Sequence, residues 1–319
     1  MKVFVTRQLP AAVLEGLERD FEVELRPSQA PMTSAEAAEA LARHEAILPT
    51  LGDSFDAAAF RDAGVVRCRI LANFGVGYNH IDVAAATAAG VTVTNTPGAV
   101  TDATADVAVM LMLMAARRAG EGERLVRSGR WTGWHPTQML GQHVSGKRLG
   151  IVGIGRIGRA IARRGHFGFG MEVVFHNRSR VSDAGVPARQ LDDILSVARA
   201  ADFLVVAVPG GPATRHLVDA RVFEAMPRHG VFVNISRGDV VDEGALVAAL
   251  GNGQIAAAGL DVYEHEPAVP EALRRLENAV LLPHLGTATL EVREAMGMMA
   301  VENLRAFAEG RPVPNPVTA

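Results

Sequence analysis

The chain has 319 residues, 49% of them hydrophobic and 21% charged. That is more apolar material than one ordinary core holds and too much for a disordered chain, so two domains are expected. A formal net charge of −3 lacks the basic footprint of a phosphate-backbone binder, so no nucleic-acid partner is expected.

The N-terminal run Met1-Lys2-Val3-Phe4-Val5-Thr6 reads as a strand, without the apolar core and small-residue cleavage site of a signal peptide. No stretch of eighteen or more apolar residues spans a membrane, and a cytoplasmic location is expected. The single cysteine, Cys68, leaves no disulfide framework and no multi-cysteine metal site, and reads as a small buried hydrophobe.

In chain order, candidate strands at Val3 to Thr6, Phe21 to Leu25, Ala46 to Pro49, Arg69 to Ala72 and Val91 to Asn95 alternate with alanine-rich helical stretches. That is the rhythm of a parallel α/β sheet. It breaks at the turn cluster Asn95-Thr96-Pro97-Gly98, after which Thr101 to Arg118 patterns as a long helix. A domain boundary is placed there, giving a first segment 1–100. The stretch from Gly120 to Gly146, which carries Trp131 and Trp134, reads as a long covering loop.

A second alternating series begins at Arg148 to Val152. It continues through strands near Glu172 to Phe175, Phe203 to Val208, Val231 to Ile235, Ala256 to Leu260 and Val280 to Leu282, a complete doubly wound sheet over 101–286. One helix, Thr289 to Glu309, and a proline-bearing tail remain. A single helix makes no domain, so 287–319 is expected to return to the first domain and make it discontinuous.

Gly153-Ile154-Gly155-Arg156-Ile157-Gly158 follows an apolar strand and opens a helix, the setting a dinucleotide fingerprint requires. Gly153 permits the tight turn, Gly155 lets backbone approach a pyrophosphate, and Gly158 lets helix and strand pack closely. Enzymes that use NAD usually carry an acid about twenty residues on, bonded to the ribose 2′-hydroxyl. Here His176-Asn177-Arg178-Ser179-Arg180 stands instead. Two guanidinium groups and a hydroxyl suit a 2′-phosphate by charge and bidentate geometry. NADP(H) is therefore the expected cofactor, with NAD(H) the alternative.

Three residue types needed for hydride transfer to a carbonyl lie just past candidate strand ends. Arg237 follows Asn234-Ile235-Ser236, Glu266 sits in Asp261-Val262-Tyr263-Glu264-His265-Glu266-Pro267, and His284 ends Leu282-Pro283-His284. A histidine can protonate the carbonyl oxygen, an acid can hold that histidine protonated, and an arginine can bind a carboxylate. Glu264 and His265 stand as rival acid and base beside Glu266.

The order of these motifs, with Asn73 to Asp82, Asn95 to Asp106 and Pro283 to Thr289, resembles the D-isomer-specific 2-hydroxyacid dehydrogenase family across essentially the whole chain, nearest its glyoxylate/hydroxypyruvate reductase branch. The resemblance implies a Rossmann dinucleotide-binding domain with a discontinuous flavodoxin-like substrate domain. It implies Arg237, Glu266 and His284 as catalytic residues and backbone N–H groups at Val76 and Gly77 as a carboxylate cradle. Asp261 matches the acid that receives the nicotinamide carboxamide, and Thr104, Pro209, Thr214, Ile235 and Gly286 match positions lining the cofactor. Gly210-Gly211-Pro212 departs from the commoner family wording.

The resemblance further implies a homodimer, with Trp134 reaching a neighbouring subunit's pocket, and Leu51 as a pocket wall. The implied reaction is reduction of a small 2-keto acid, glyoxylate or hydroxypyruvate, without a metal. An NAD-dependent D-2-hydroxyacid or D-3-phosphoglycerate dehydrogenase is the enzyme alternative, although no room remains for the regulatory domain many phosphoglycerate enzymes append. Formate dehydrogenase is disfavoured because that branch lacks the acid Glu266 supplies. The alternative from another class is a nucleotide-sensing corepressor that binds protein motifs, disfavoured by the lack of an added recognition tail.

Overall fold

The computed structural model describes residues 1–318. The chain divides into two compact units: residues 1–100 with the segment returning from Ala288, and Thr101–Thr287.

In the first unit the strands are β1 (Lys2–Val5), β2 (Glu22–Leu25), β3 (Ala46–Leu48), β4 (Ile70–Ala72) and β5 (Thr92–Thr94). They pair in parallel in the order β5-β4-β3-β1-β2, the flavodoxin-like winding. Val3, Val5, Leu48 and Ile70 face one side, packed with Ala300, Val301 and Leu304 of the helix Leu290–Ala308. Phe4, Ile47, Leu71 and Val93 face the other, against Leu41, Ala59 and Phe60. Burial on both faces is why β1, β3 and β4 read as apolar runs. A Cβ on Gly297 would lie 2.4 Å from Val13 Cγ2, so that glycine sets how closely the returning helix approaches Ala11–Glu18.

The second unit holds β6 (Arg148–Val152), β7 (Glu172–His176), β8 (Ala188–Gln190), β9 (Phe203–Val206), β10 (Val231–Asn234), β11 (Ala257–Leu260) and β12 (Ala279–Leu281), all parallel. Their order, β12-β11-β10-β9-β6-β7-β8, reverses between β6 and β9, the switch point where open α/β sheets bind ligands. Phe203, Phe223 and Phe232 are fully buried here, each contributing about 1.5–3 kcal/mol of transfer free energy. The helix Thr101–Ala116 lies on one face, its close approach secured at Gly259, whose Cβ would sit 2.8 Å from Leu111 Cβ. No helix among the described residues is long and apolar enough to cross a membrane.

Three local expectations change. The covering stretch expected from Gly120 to Gly146 begins as a helix, Ala119–Arg127, which buries none of its residues. Its surface is laced by Arg118–Glu121 and Arg127–Glu123 pairs. The strand β8 has two exposed positions and one half-buried one at the sheet edge, where alternation is weak. The terminal tail contributes a strand, β13 (Pro316–Val317), antiparallel to β5. A proline is tolerated there because an edge strand need not donate every N–H.

Candidate active site

The turn from β6 into the helix Arg156–Arg163 sits at the switch point. Gly153 has φ +93°, and a Cβ there would lie 2.8 Å from Ala207 O, at the end of β9. A Cβ on Gly158 would lie 2.1 Å from Gly153 O, whereas one on Gly155 would meet nothing within 4 Å. Two glycines are thus demanded by packing, and the third leaves open space. The helix start, with Arg156 and Ile157 in its first turn, has no side-chain cap, so its N–H groups and positive dipole end are available to an anion. Room and donors together fit a dinucleotide pyrophosphate.

At the end of β7, Arg178, Ser179 and Arg180 are exposed, and neither arginine has an ion-pair partner among the described residues. The turn itself is ordered from below. Gln190 of β8 donates from Nε2 to Asn177 O (3.3 Å) and Ser179 O (3.0 Å) and accepts from Val181 N–H at 2.9 Å. Asn177 Nδ2 donates to Ser179 O at 3.1 Å. A cavity of about 570 Å³ opens beside this turn. Gln190 escaped the sequence reading because its contribution depends on β8, which was not expected.

Beyond β10, β11 and β12 the chemistry-bearing side chains converge. His284 Nδ1 lies 2.8 Å from Glu266 Oε2, while Tyr263 N–H donates to Glu266 Oε1 at 3.0 Å. Burial raises the Glu266 carboxyl, yet His284, the Tyr263 N–H and Arg237 outweigh it and hold the group below its ordinary value. An ionised carboxylate only accepts, so Nδ1 carries the proton of that bond and Nε2 is left as the second ring nitrogen. Burial lowers the Arg237 guanidinium, opposed by the Glu266 and Asp239 carboxylates, but a guanidinium stays charged in proteins. A Cβ on Gly210 would lie 2.6 Å from Arg237 Cγ. Gly210 therefore leaves the space that the Arg237 stem occupies.

His284 has φ +55°, rare for a residue with a side chain. Asp261 holds it there. The His284 N–H donates to Asp261 O at 2.9 Å, and the next two N–H groups, of Leu285 and Gly286, donate to its carboxylate at 2.6 and 2.8 Å. Burial pushes the Asp261 carboxyl up against those two N–H groups, which favour its charged form. Tyr263 braces the same loops through its hydroxyl, which donates to Leu282 O at 2.9 Å. The rival acid turns elsewhere: Glu264 Oε1 accepts from Arg215 and from His216, at 3.0 and 2.8 Å.

Among the remaining sequence-predicted positions, Thr104 Oγ1 donates to Gly286 O at 3.2 Å, and Thr214 Oγ1 donates to Pro209 O at 2.7 Å. Ile235 is buried in the core beneath. Within the first unit, Leu51 lies in a turn pinned by Asp53, a fully buried carboxylate that accepts from Thr6 Oγ1, Thr50 N and Arg7 Nη2. Val76 and Gly77 lie in the turn after β4. Trp134 is 79% exposed and Trp131 51%, so neither is a core residue of its unit. Among the described residues no cluster of three or more His, Cys, Asp or Glu could hold a metal ion.

A doubly wound sheet with an open glycine turn at its switch point, and a paired imidazole and carboxylate beside a guanidinium past its strand ends, defines a nicotinamide-dependent oxidoreductase. The NAD-binding domain of the D-isomer specific 2-hydroxyacid dehydrogenases matches residues 109–286. A glyoxylate reductase of Thermococcus kodakarensis is 44% identical over 321 residues, covering 98% of this chain and 95% of that protein. Two solved structures are also similar. An NADPH-dependent glyoxylate/hydroxypyruvate reductase from Sinorhizobium meliloti, in complex with NADP and malonate, has TM-score 0.88 and 36% identity, covering 99% of this chain and 96% of that one. A glyoxylate reductase from Paecilomyes thermophila has TM-score 0.88 and 32% identity over 99% and 98% of the two chains. The chain belongs to the D-isomer-specific 2-hydroxyacid dehydrogenase family and is an NAD(P)-dependent oxidoreductase.

Proposed function

We propose that the chain reduces small 2-keto acids, glyoxylate and hydroxypyruvate first among them, with NADP(H) preferred and NAD(H) as the alternative. The observation that carries this reading is the 2.8 Å pairing of His284 Nδ1 with an ionised Glu266. When bound, the reduced nicotinamide supplies the hydride. The His284 imidazolium gives its Nε2 proton to the carbonyl oxygen as negative charge develops there, and Glu266 stabilises the charged ring. Arg237 pairs with the substrate carboxylate and polarises the neighbouring carbonyl. Asp261, with Thr104, keeps the His284–Gly286 turn in place and lines the nicotinamide end of the cofactor site.

In this reading residues 101–286 are the dinucleotide domain, with Gly153, Gly155, Arg156, Ile157 and Gly158 on the pyrophosphate. Pro209, Thr214 and Ile235 line the cofactor site, and Asn177, Arg178, Ser179 and Arg180 meet the 2′-phosphate. Residues 1–100 and 287–319 are the substrate domain, contributing Leu51, Val76 and Gly77. The exposure of Trp131, Trp134 and Leu140 supports a homodimer in which this segment is covered by a second copy, since aromatic residues concentrate at interfaces. The name of the Sinorhizobium meliloti enzyme, with its NADP complex, supports the cofactor preference, as do Arg178 and Arg180, exposed and without an ion-pair partner among the described residues.

Steady-state rates with glyoxylate, hydroxypyruvate and 3-phosphohydroxypyruvate, each with NADPH and NADH, test the whole reading. The expected result is highest kcat/KM for glyoxylate or hydroxypyruvate with NADPH. Absence of reduction with every pair overturns the function, and an equal or higher kcat/KM with NADH overturns the cofactor preference alone.

A further inference from the structure

The turn Gly75–Gly77, after β4, is wired in a way that its proposed use as a carboxylate cradle does not by itself demand. Three consecutive carbonyls point into the protein. Asn73 Nδ2 donates to Gly75 O and to Gly77 O, both at 3.0 Å, and Asn95 Nδ2 donates to Val76 O, between them, at 2.8 Å. The Thr96 N–H gives Gly75 O a second donor at 3.1 Å. Asn73 is fully buried, and its remaining atom, Oδ1, lies 3.0 Å from His80 Nε2, so the Asn73 amide is held at both ends.

The consequence follows from peptide geometry. In a planar trans peptide the N–H of one residue points opposite to the carbonyl of the residue before it. Anchoring the carbonyls of Gly75, Val76 and Gly77 inward therefore directs the N–H groups of Val76, Gly77 and Tyr78 outward. None of those three N–H groups donates to an acceptor among the described residues. Successive outward N–H groups form a concavity of positive potential suited to a carboxylate. Rotating any one of these peptides would turn a carbonyl oxygen toward the anion in place of a donor.

We infer that Asn73, assisted by Asn95, is a positioning residue for substrate carboxylate recognition: its amide hydrogens set the orientation of the peptides that bind the anion. The inference rests on the reading of the chain as a 2-keto acid reductase. Asn73→Asp keeps size and the Oδ1 acceptor but replaces both donated hydrogens with an oxygen that faces carbonyl oxygens. Asn95→Asp does the same for the central peptide from a half-buried, more tolerant position.

The test compares kcat/KM for glyoxylate with that for glycolaldehyde, which carries a hydroxymethyl group where glyoxylate has its carboxylate, in the full-length protein with NADPH. Wild type prefers glyoxylate. In Asn73→Asp that preference falls by about tenfold or more, the size of one lost charge-assisted hydrogen bond, through KM for glyoxylate, while NADPH affinity by fluorescence titration is unchanged. Asn95→Asp moves the same ratio in the same direction and keeps the inference testable if Asn73→Asp does not fold. A preference that survives in a folded variant, or a loss shared equally by both substrates, overturns the positioning role and leaves the reductase reading standing. A wild-type protein with no preference for the carboxylate overturns both.

Discussion

The loops past β10, β11 and β12 and the turn after β7 both carry charged side chains at the ends of parallel strands, yet they are built in opposite ways. Around His284 nearly every polar group has a protein partner: Glu266 takes two donors, Asp261 takes three consecutive backbone N–H groups, and Tyr263 closes the floor. After β7 only the backbone is fixed, by Gln190, while Arg178 and Arg180 extend into solvent. The first region is assembled before anything binds, which suits a proton transfer that is sensitive to small displacements. The second is a pair of screened charges that gain order only on meeting a phosphate. Its contribution is correspondingly smaller and more sensitive to salt.

The sharpest way to break the contrast is His284→Ala. It is expected to lower kcat by roughly 10²–10⁴-fold, the range for losing a general acid, with NADPH binding by fluorescence nearly intact. A variant that retains more than about a tenth of wild-type kcat would place the proton donor elsewhere.

Glu266→Gln comes next, with a loss of about ten- to a hundredfold in reduction at neutral pH, as a charge-assisted partner of a half-buried imidazolium is removed. Without that anion the charged ring loses support. Stability carries the pH signature of Glu266 itself. Its folded value lies below the ordinary 4.5, so the stability it contributes is present above that pH and is lost only as pH falls through the depressed value. Thermal melts of wild type and Glu266→Gln should therefore differ above pH 4.5 and converge as the pH falls through that depressed value. Glu264→Gln, whose acid is committed to Arg215 and His216, should leave the rate of reduction in place. A loss produced by Glu264→Gln and not by Glu266→Gln would reverse the assignment.

The smallest effect is expected in the second region. Arg178→Asp should weaken NADPH about tenfold, on the order of one charge-assisted contact, and NADH far less, with the difference shrinking as salt is raised. Equal losses for the two cofactors would mean that the exposed turn does not read the 2′-phosphate.

Much of this was legible before any fold was known, for reasons tied to particular residues. Gly153 and Gly158 announce themselves because strand-turn-helix geometry tolerates no side chain there, as the positive φ of Gly153 and the 2.1 Å clash at Gly158 show. The central strands were legible because burial on both faces makes a parallel strand apolar throughout. The edge strands β8 and β13 were not, since two or three residues at a sheet edge are too few to leave a period, and the helix Ala119–Arg127 carries two glycines that read as loop.

What residue order alone determined is the inventory: a glycine turn, a basic pair where an acid usually stands, and an arginine, an acid and a histidine on successive loops. Which of two acids two positions apart faces the imidazole depends on how β11 and β12 lie side by side. That pairing joins Leu260 to Leu281 and brings the loops after them together. The resemblance implied Glu266, but only the folded chain shows the contact, because contacts between segments distant in sequence are set by packing. The same holds for the Asp261 clamp on His284 and for the amides of Asn73 and Asn95, which act on backbone groups whose direction exists only once the turn is formed.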